Sequence, residues 1–186
     1  WQQQLPDNAP NHFAMNILPD QVAAFGQQLE QQTMGAAQFY PVVRGRLVGI
    51  NDVPVQRIVS KDSQGERATH RDLSLTWGNS LPSDNKTVAG EWTGAKQGEV
   101  SIESKLAESL QVILGDKLTF SIGSEQLETV VTHIRSVQWD TMKPNFYMVF
   151  GDGTLDNYPA TYITSFYLAE ENKKVLNTLV KQFPSM

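Results

Sequence analysis

The chain has 186 residues, and 15 Lys and Arg against 20 Asp and Glu give it a formal net charge of −5 at pH 7. Because nucleic-acid affinity comes largely from clustered Lys and Arg, this charge argues against a nucleic-acid partner. The sequence has no cysteine, which excludes disulfides, thiolate metal sites and cysteine nucleophiles. An apolar fraction of 40% fits a globular domain, and the longest apolar runs fall far short of the ~20 residues that span a bilayer.

The first third of the chain has the pattern of a β-α-β unit. Phe13, Met15 and Ile17 alternate with Ala14 and Asn16, which predicts a half-buried strand. A helix is predicted from Pro19-Asp20 to Met34-Gly35. A long strand is predicted over residues 39–50, with glycines that indicate a bulge or a bend. The apolar stripe of the helix consists of Val22, Phe25 and Leu29.

The middle third is more mixed and starts with a polar stretch. Residues 59–71 lack a periodic pattern, so we predict an exposed connector there and place a subdomain boundary near it. Strands are predicted over residues 72–77 and 99–102, with a loop over residues 78–85 between them. A helix over residues 103–112 would be capped by Ser101 or Ser104 and ended by Gly115-Asp116. Residues 118–122 and 126–139 are predicted to form a hairpin around Gly123-Ser124.

The last third is predicted to be β-β-α. Strands are expected over residues 145–150 and 161–168, and a helix over residues 170–183, whose apolar residues Val175, Leu176, Leu179, Val180 and Phe183 would face a core. The whole order therefore predicts an α+β fold, in which the two ends form a split ferredoxin-like layer around an inserted mixed α/β lobe. We expect residues 1–58 and 143–186 to form the two halves of one subdomain and residues 59–142 to form the insert.

The ends of the sequence suggest a fragment. It begins at Trp1 rather than at a methionine, without a signal peptide, and it stops just after an amphipathic stretch. We expect that it is a piece of a longer protein. A ferredoxin-like layer would be completed by a strand after its last helix, so the parent sequence should continue past Met186 with a short β-like segment.

No catalytic motif stands out. The histidines His12, His70 and His133 are far apart in sequence, and neither H-E-x-x-H nor H-x-E occurs. The stretch from Asp152 to Asp156 has the spacing of a calcium loop but lacks its glycine and its bidentate glutamate, so a turn between strands is the better interpretation. Gly123-Ser124 lacks the flanking residues of a nucleophile elbow, and phosphate loops are also absent. The sequence therefore predicts no catalytic, cofactor-binding or metal-ligating residue and no cofactor.

Two groups of residues allow a binding role. Arg44 and Arg46 share a strand face and would suit an anionic partner, although pairing with nearby acids is the favoured interpretation. Several aromatic residues would suit a ligand groove, although a position in a core or at a subdomain seam is favoured. These are Trp77, Trp92, Trp139, Phe146, Tyr147 and Phe150.

Particular sequence strings carry a family resemblance. Phe39-Tyr40-Pro41-Val42-Val43-Arg44-Gly45-Arg46-Leu47 followed by Asn51-Asp52 resembles a passage of MacB-like and FtsX-like ABC transporter permeases. Residues 100–107 followed by 114–120 are similar to the strand, the helix ending in Gly-Asp and the β-hairpin of that family. Residues 1–6, 71–77 and 144–147 resemble one branch, the YbbP-type permeases, in their second extracytoplasmic domain. The resemblance covers nearly the whole chain.

The resemblance implies a non-catalytic domain on the periplasmic side of the bacterial inner membrane, held between two transmembrane helices of the same chain. In MacB-like permeases such a domain has a porter-like α/β subdomain with an inserted lobe, as expected above. A cytoplasmic ABC ATPase hydrolyses ATP, and the permease transmits the motion to the periplasm (mechanotransmission). The implied task is export or extraction of hydrophobic compounds or lipids, with a periplasmic esterase or thioesterase as a possible partner.

Two other function classes stay open. An envelope protein-binding module would have the same composition and the same lack of catalytic motifs. A lipid or ester hydrolase is the less favoured alternative, because the sequence supplies no recognisable pair of nucleophile and base.

Overall fold

The structure is a computed structural model that describes residues 9–32 and 37–185. Within these residues the chain is mixed, with more strand than helix, as the α+β prediction requires. The strands are β1 (His12–Ile17), β2 (Phe39–Ile50), β3 (Val53–Pro54), β4 (Leu73–Trp77), β5 (Asn85–Gly90), β6 (Glu99–Glu103), β7 (Lys117–Ile122), β8 (Glu125–Val137), β9 (Met148–Phe150) and β10 (Thr161–Phe166). The α-helices are α1 (Val22–Gln32), α2 (Gln64–Thr69), α3 (Ser104–Leu110) and α4 (Lys174–Gln182). Short 3-10 helices lie at Pro19–Gln21, Val55–Arg57 and Glu170–Asn172.

The chain packs into two compact units. The first takes in the described parts of residues 1–42, 140–144 and 160–186, and the second contains residues 43–139 and 145–159. Packing therefore groups residues 43–58 with the second unit, although the sequence suggested a boundary at 58/59. The division into functional subdomains at 58/59 and 142/143 stays a prediction.

The first unit is a small antiparallel sheet with helices packed against it. β10 lies between β1 and the start of β2, and α1 and α4 cover the apolar side chains. Phe25 of α1 is fully buried, with its ring edge-on to Phe183 at a centroid distance of 5.1 Å. The predicted stripe of α1 is confirmed for Phe25 and Leu29, while Val22 is partly buried.

The second unit is a ring of paired strands. Its pairings run from β2 to β4, β9, β6, β8 and β7, and β7 pairs back onto β2, with β5 attached to β8 and β3 to β2. Phe120 and Phe150 are fully buried, with ring centroids 5.1 Å apart. The predicted β-β-α order of the last third is present as β9, β10 and α4. However, β9 pairs with β4 and β6 in this unit, whereas β10 pairs with β1 and β2 in the first unit.

Residues 59–71 are not the irregular connector that the sequence predicted. They contain α2, whose N-terminus is capped by Ser63, since its Oγ accepts a hydrogen bond from the Glu66 backbone N–H at 3.0 Å. Gly65 allows α2 to approach α3 closely: a Cβ there would lie 2.7 Å from Leu110 Cδ2. The Gly65 N–H also donates to Ser109 Oγ at 2.8 Å. The prediction failed because a helix of six residues is too short to show a hydrophobic period.

The ends of α3 also differ from the prediction. Its N-cap is Glu103 rather than Ser101 or Ser104, and the carboxylate accepts from the backbone N–H groups of Lys105 and Leu106 at 3.0 and 2.8 Å. The helix ends at Gln111, which adopts a left-handed conformation with φ of 58°, well before Gly115. At the N-terminus a carboxylate can cap a helix as a serine hydroxyl does. At the C-terminus Gln111 takes the left-handed position, so Gly115 lies in the turn before β7.

The first strand is present as β1, but it buries Ala14 and Ile17 and exposes Phe13 and Met15, because its register shifts between Ala14 and Ile17. The remaining predicted elements agree with the structure, with small changes. β7 and β8 form the predicted hairpin, and β2 has a register shift between Leu47 and Gly49, as its glycines indicated. The last helix buries Leu179 and Phe183, but Val180 is 57% exposed and does not face the core. The predicted end of the first helix at Met34-Gly35 lies outside the described residues. Among the helices of residues 9–32 and 37–185, none has the length and hydropathy needed to cross a membrane.

Candidate functional site

A pocket of about 600 Å³ opens on the second unit. Three segments that are distant in sequence form it: the start of the second-unit part of β2, the connection from α2 into β4, and the irregular segment before β9. The side chains that give it its chemical character are Arg44, Arg46, Arg71, Trp139, Phe146 and Tyr147.

Strand alternation places two arginines in this pocket. Val43, Gly45 and Leu47 are buried, whereas Arg44 and Arg46 between them are exposed, because successive side chains of a strand point to opposite faces. Gly45 lies directly behind the arginines, and a Cβ there would be 2.8 Å from Leu75 Cδ1. The glycine of the Arg-Gly-Arg string therefore allows close packing of β2 on its neighbour.

The neighbouring strand β4 orients the guanidinium of Arg44. Arg44 pairs with Ser74 across the two strands, and its Nη1 donates to Ser74 Oγ at 2.8 Å. Its Nη2 donates to the Asp72 carbonyl oxygen at 3.4 Å. Arg46 is held less firmly, since its Nε lies 3.7 Å from Asp72 Oδ1 and both side chains are about half exposed. The predicted pairing of these arginines with a nearby acid is thus present only as one long, solvent-exposed contact.

The connection between α2 and β4 adds a third arginine. His70 and Arg71 follow the end of α2 and are exposed in the pocket. Arg71 makes no ion pair or hydrogen bond to any side chain in residues 9–32 and 37–185. Asp72 is the carboxylate of the lining, so three arginines face one acid and the wall is positively charged.

Aromatic side chains form another part of the pocket lining. Trp139 follows β8 and is 44% exposed, and its ring lies 4.9 Å from that of Tyr147 at an interplanar angle of 53°. Phe146 is buried beside them. The pocket therefore places an apolar aromatic surface next to guanidinium groups, an arrangement that suits a ligand with both a negative charge and an apolar part.

A fully buried arginine fixes the aromatic wall from behind. Arg135 of β8 donates through Nη1 to the carbonyl oxygen of Tyr147 at 3.3 Å and through Nη2 to that of Phe146. Its Nε donates to Asn85 Oδ1 at 2.7 Å, and Nη1 also reaches the Ser101 carbonyl oxygen at 3.1 Å. Burial lowers the pKa of Arg135 to about 9, a change that the charge of Glu103 opposes. The guanidinium therefore stays charged at neutral pH.

The structure brings together one serine and one histidine that the sequence did not connect. Ser101 Oγ lies 2.7 Å from His133 Nδ1, and His133 Nε2 lies 2.9 Å from Thr87 Oγ1. Burial, and to a lesser degree the charge of Arg135, lowers the pKa of His133. Ser101 and His133 are fully buried, and Arg135 Nη1 donates to the same Ser101 hydroxyl at 3.3 Å. These contacts describe a structural hydrogen-bond network inside the unit, without access for a substrate.

The aromatic candidates divide between pocket and interior. Trp139, Phe146 and Tyr147 line the pocket. Phe150 belongs to the core, and Trp92 donates its Nε1–H to the Gly78 carbonyl oxygen at 3.1 Å.

The histidines are equally dispersed. His12 stacks on Phe166 in the first unit, His70 lies at the pocket and His133 is buried. Asp152, Thr154 and Asp156 occupy the turns after β9, with Thr154 Oγ1 accepting from the Gly98 N–H at 2.9 Å. Within the part of the chain that the structure describes, no three His, Asp or Glu side chains converge as a metal site would require.

Comparisons with known proteins identify a relative. No family model matches the chain. It is 41% identical over all 186 residues to the ABC transporter permease YbbP of Escherichia coli (strain K12), and it spans 22% of the length of that protein. A solved structure of a domain assigned to a permease protein from Porphyromonas gingivalis aligns with 85% of this chain and 69% of its own, at 10% identity and a TM-score of 0.38. The resemblance to a YbbP-type ABC transporter permease is therefore confirmed at the level of sequence.

Proposed function

We propose that the chain is a non-catalytic extracytoplasmic domain of a bacterial ABC transporter permease, on the periplasmic side of the inner membrane. The observation that carries this proposal is the 41% identity over the whole chain to one ABC transporter permease. The chain corresponds to 22% of the length of that protein. The proposed parent would carry transmembrane helices on both sides of this domain.

The proposed role is mechanical. A cytoplasmic ABC ATPase subunit would hydrolyse ATP, and the permease would transmit the resulting motion to this domain, which promotes export or extraction of hydrophobic compounds or lipids. The chain folds into two compact units, and it passes from one to the other several times. Hinge or shear motion between such units is a common way for a protein to respond to a ligand, which supports this role. A periplasmic esterase or thioesterase would act on the extracted compound as a separate partner.

The location can be tested by cysteine labelling of the full-length permease. The domain itself has no cysteine. Once any cysteines elsewhere in the permease are replaced by serine, a single introduced thiol reports one position. Lys61→Cys would place the thiol on an exposed residue, and Ala107→Cys would place it on a residue that is 2% exposed, as the matched control. In intact spheroplasts we expect a membrane-impermeant maleimide to label the Lys61→Cys protein only. Labelling of that protein only after the inner membrane is opened would contradict a periplasmic location.

The mechanical role requires a different experiment. Residues 1–186 would be replaced in the full-length permease by a flexible Gly/Ser linker, and the permease–ATPase complex would be reconstituted in liposomes. If this domain performs the periplasmic step, ATP hydrolysis by the complex continues while extraction of a fluorescent lipid stops. Extraction at the rate of the intact complex would show that the domain is not needed for transport.

The esterase partnership is tested by co-purification. The intact permease complex would be immobilised and exposed to a purified periplasmic esterase from the same organism, with the linker-replaced complex as the control. Retention by the intact complex alone would support binding through this domain. Equal retention by both complexes would remove the domain from the interaction.

A further inference from the structure

The pocket on the second unit has a charge opposite to that of the chain. The formal net charge of the chain is −5, yet the pocket places Arg44, Arg46 and Arg71 around a single carboxylate, Asp72. That carboxylate is half exposed and lies 3.7 Å from the nearest arginine nitrogen, so solvent screens the pair. The arginines are therefore largely unneutralised and available to an anion from outside the protein.

The arginines are also arranged for recognition. Arg44 is anchored by Ser74 Oγ at 2.8 Å, which reduces the number of conformations that its guanidinium adopts. Arg71, in contrast, has no partner in residues 9–32 and 37–185, so its donors are free for a ligand. Planar guanidinium groups bind carboxylate and phosphate oxygens with paired hydrogen bonds, more specifically than lysine ammonium groups do.

The aromatic surface of Trp139 and Tyr147 indicates that the ligand also has an apolar part. Trp139 is 44% exposed although it is a large apolar side chain, and its contact with Tyr147 makes a continuous surface. The pocket volume of about 600 Å³ greatly exceeds that of a phosphate ion and lies in the range of pockets that hold small organic ligands. An inorganic anion would leave the aromatic wall in water.

We propose that this pocket binds an organic anion, with a carboxylate or phosphate group at Arg44, Arg46 and Arg71 and an apolar group against Trp139 and Tyr147. The inference stands on the pocket itself and does not require the proposed transport function. The same chemistry occurs in a free metabolite and in an anionic membrane lipid, and the experiment has an arm for each source.

The first experiment is calorimetric titration of the 186-residue chain with three probes. Hexyl phosphate carries both chemical features, inorganic phosphate carries the charge alone, and hexanol carries the apolar group alone. We expect hexyl phosphate to bind at least about tenfold more tightly than either of the others, with an affinity that falls as salt is added. Equal binding of inorganic phosphate, or no binding of hexyl phosphate at millimolar concentration, would overturn the proposal.

Variants locate the bound probe. Arg71→Gln and Arg46→Gln each remove one charge from an exposed pocket position, and Arg57→Gln removes the same charge from an exposed position outside the pocket. We expect the two pocket variants to weaken hexyl phosphate binding about tenfold or more, and Arg57→Gln to bind as the unchanged chain does. Trp139→Ala should weaken hexyl phosphate and leave inorganic phosphate unaffected. Equal losses for all three arginine variants would mean that binding depends only on net charge.

Vesicles distinguish the two sources. The chain would be sedimented with phosphatidylcholine vesicles that contain no phosphatidylglycerol or about one fifth of it. Binding to the anionic vesicles that Arg71→Gln weakens, but Arg57→Gln does not, would assign the pocket to a membrane lipid. Binding of hexyl phosphate without such vesicle binding would assign it to a soluble anion.

Discussion

Arg135 makes the clearest prediction about stability, because it is a large charged side chain with no solvent exposure. Arg135→Met keeps most of the volume but removes the donors to the carbonyl oxygens of Phe146 and Tyr147 and to Asn85 Oδ1. A buried hydrogen bond from a charged donor contributes about 1.5–3 kcal/mol, so the two carbonyl contacts alone account for about 3–6 kcal/mol. Removing one charge from a buried set of ionic groups has a cost of the same size, about 3–5 kcal/mol.

The assay is equilibrium unfolding in urea, followed by circular dichroism. With a urea dependence of about 2 kcal/mol per molar, the midpoint should fall by roughly 2 M. Arg135→Lys keeps the charge without the planar set of donors and should give an intermediate midpoint. Arg44→Met is the matched control, because Arg44 is exposed and its removal should cost less than about 1 kcal/mol. A midpoint for Arg135→Met no lower than that of Arg44→Met would refute the reasoning.

Three further changes test other parts of the second unit. Gly45→Ala would bring a methyl group to within 3 Å of Leu75 and Ile122, so we expect a loss of about 1–3 kcal/mol in the free energy of unfolding, measured in urea. Glu103→Ala removes the acceptor that caps α3 and a buried charge near Arg135, so it should cost at least about 1–2 kcal/mol, the contribution of the cap alone, in the same assay. Glu103→Gln should recover part of this loss. His133 has a pKa below its ordinary value of 6.5, because burial and, to a lesser degree, the charge of Arg135 disfavour the protonated ring. The stability that His133 contributes is complete above pH 6.5, the pKa of an unfolded histidine, and is lost as the pH falls through its lower pKa in the folded state. The free energy of unfolding should therefore decline below pH 6.5. The decline should be less steep in His133→Gln. A variant with an unchanged decline would show that His133 is not responsible.

Local periodicity accounts for what the sequence predicted well. The burial of Phe25 and Leu29 in α1 follows from helical spacing, and β2 and the β7–β8 hairpin follow from alternation and from the turn at Gly123-Ser124. Each of these patterns lies within one short stretch of chain. The partners of a strand, in contrast, can lie far away in the sequence. For that reason the pairing of β9 with β4 and β6 could not be obtained from the residues of β9 themselves.

The errors have local physical causes. A capping signal for α2 was present, since Ser63 is followed three residues later by Glu66, and Glu66 Oε1 accepts from the Asp62 N–H at 3.2 Å. The many polar residues of the segment nevertheless favoured a loop. At α3 the observed cap is a glutamate, a residue type that ranks below serine for this position, so the sequence rule chose the neighbouring serines.

Only part of the candidate pocket could be predicted from the sequence. The sequence places Arg44 and Arg46 on one strand face, although it favours their pairing with acids over anion binding. Arg71 is 25 or more residues away and comes near them through the β2–β4 pairing. A signal for Arg135 did exist. In β8 the residues Val131, His133 and Arg135 alternate with more exposed ones, so the period of two places an arginine on the buried side of the strand.

The buried hydrogen-bond network of Arg135 holds one side of the pocket in place. The residues at the aromatic wall, 145–147, belong to no helix or strand, and their backbone is held by Arg135 and by the Glu103 N–H, which donates to the Tyr147 carbonyl oxygen at 2.9 Å. An irregular segment fixed in this way loses little conformational freedom when a ligand binds, so more of the contact energy is available as affinity. A solvent-exposed tryptophan stacked on a mobile segment would lack this advantage. The fully buried guanidinium therefore explains how a segment without secondary structure can hold Tyr147 in place, with the Trp139 ring packed against it.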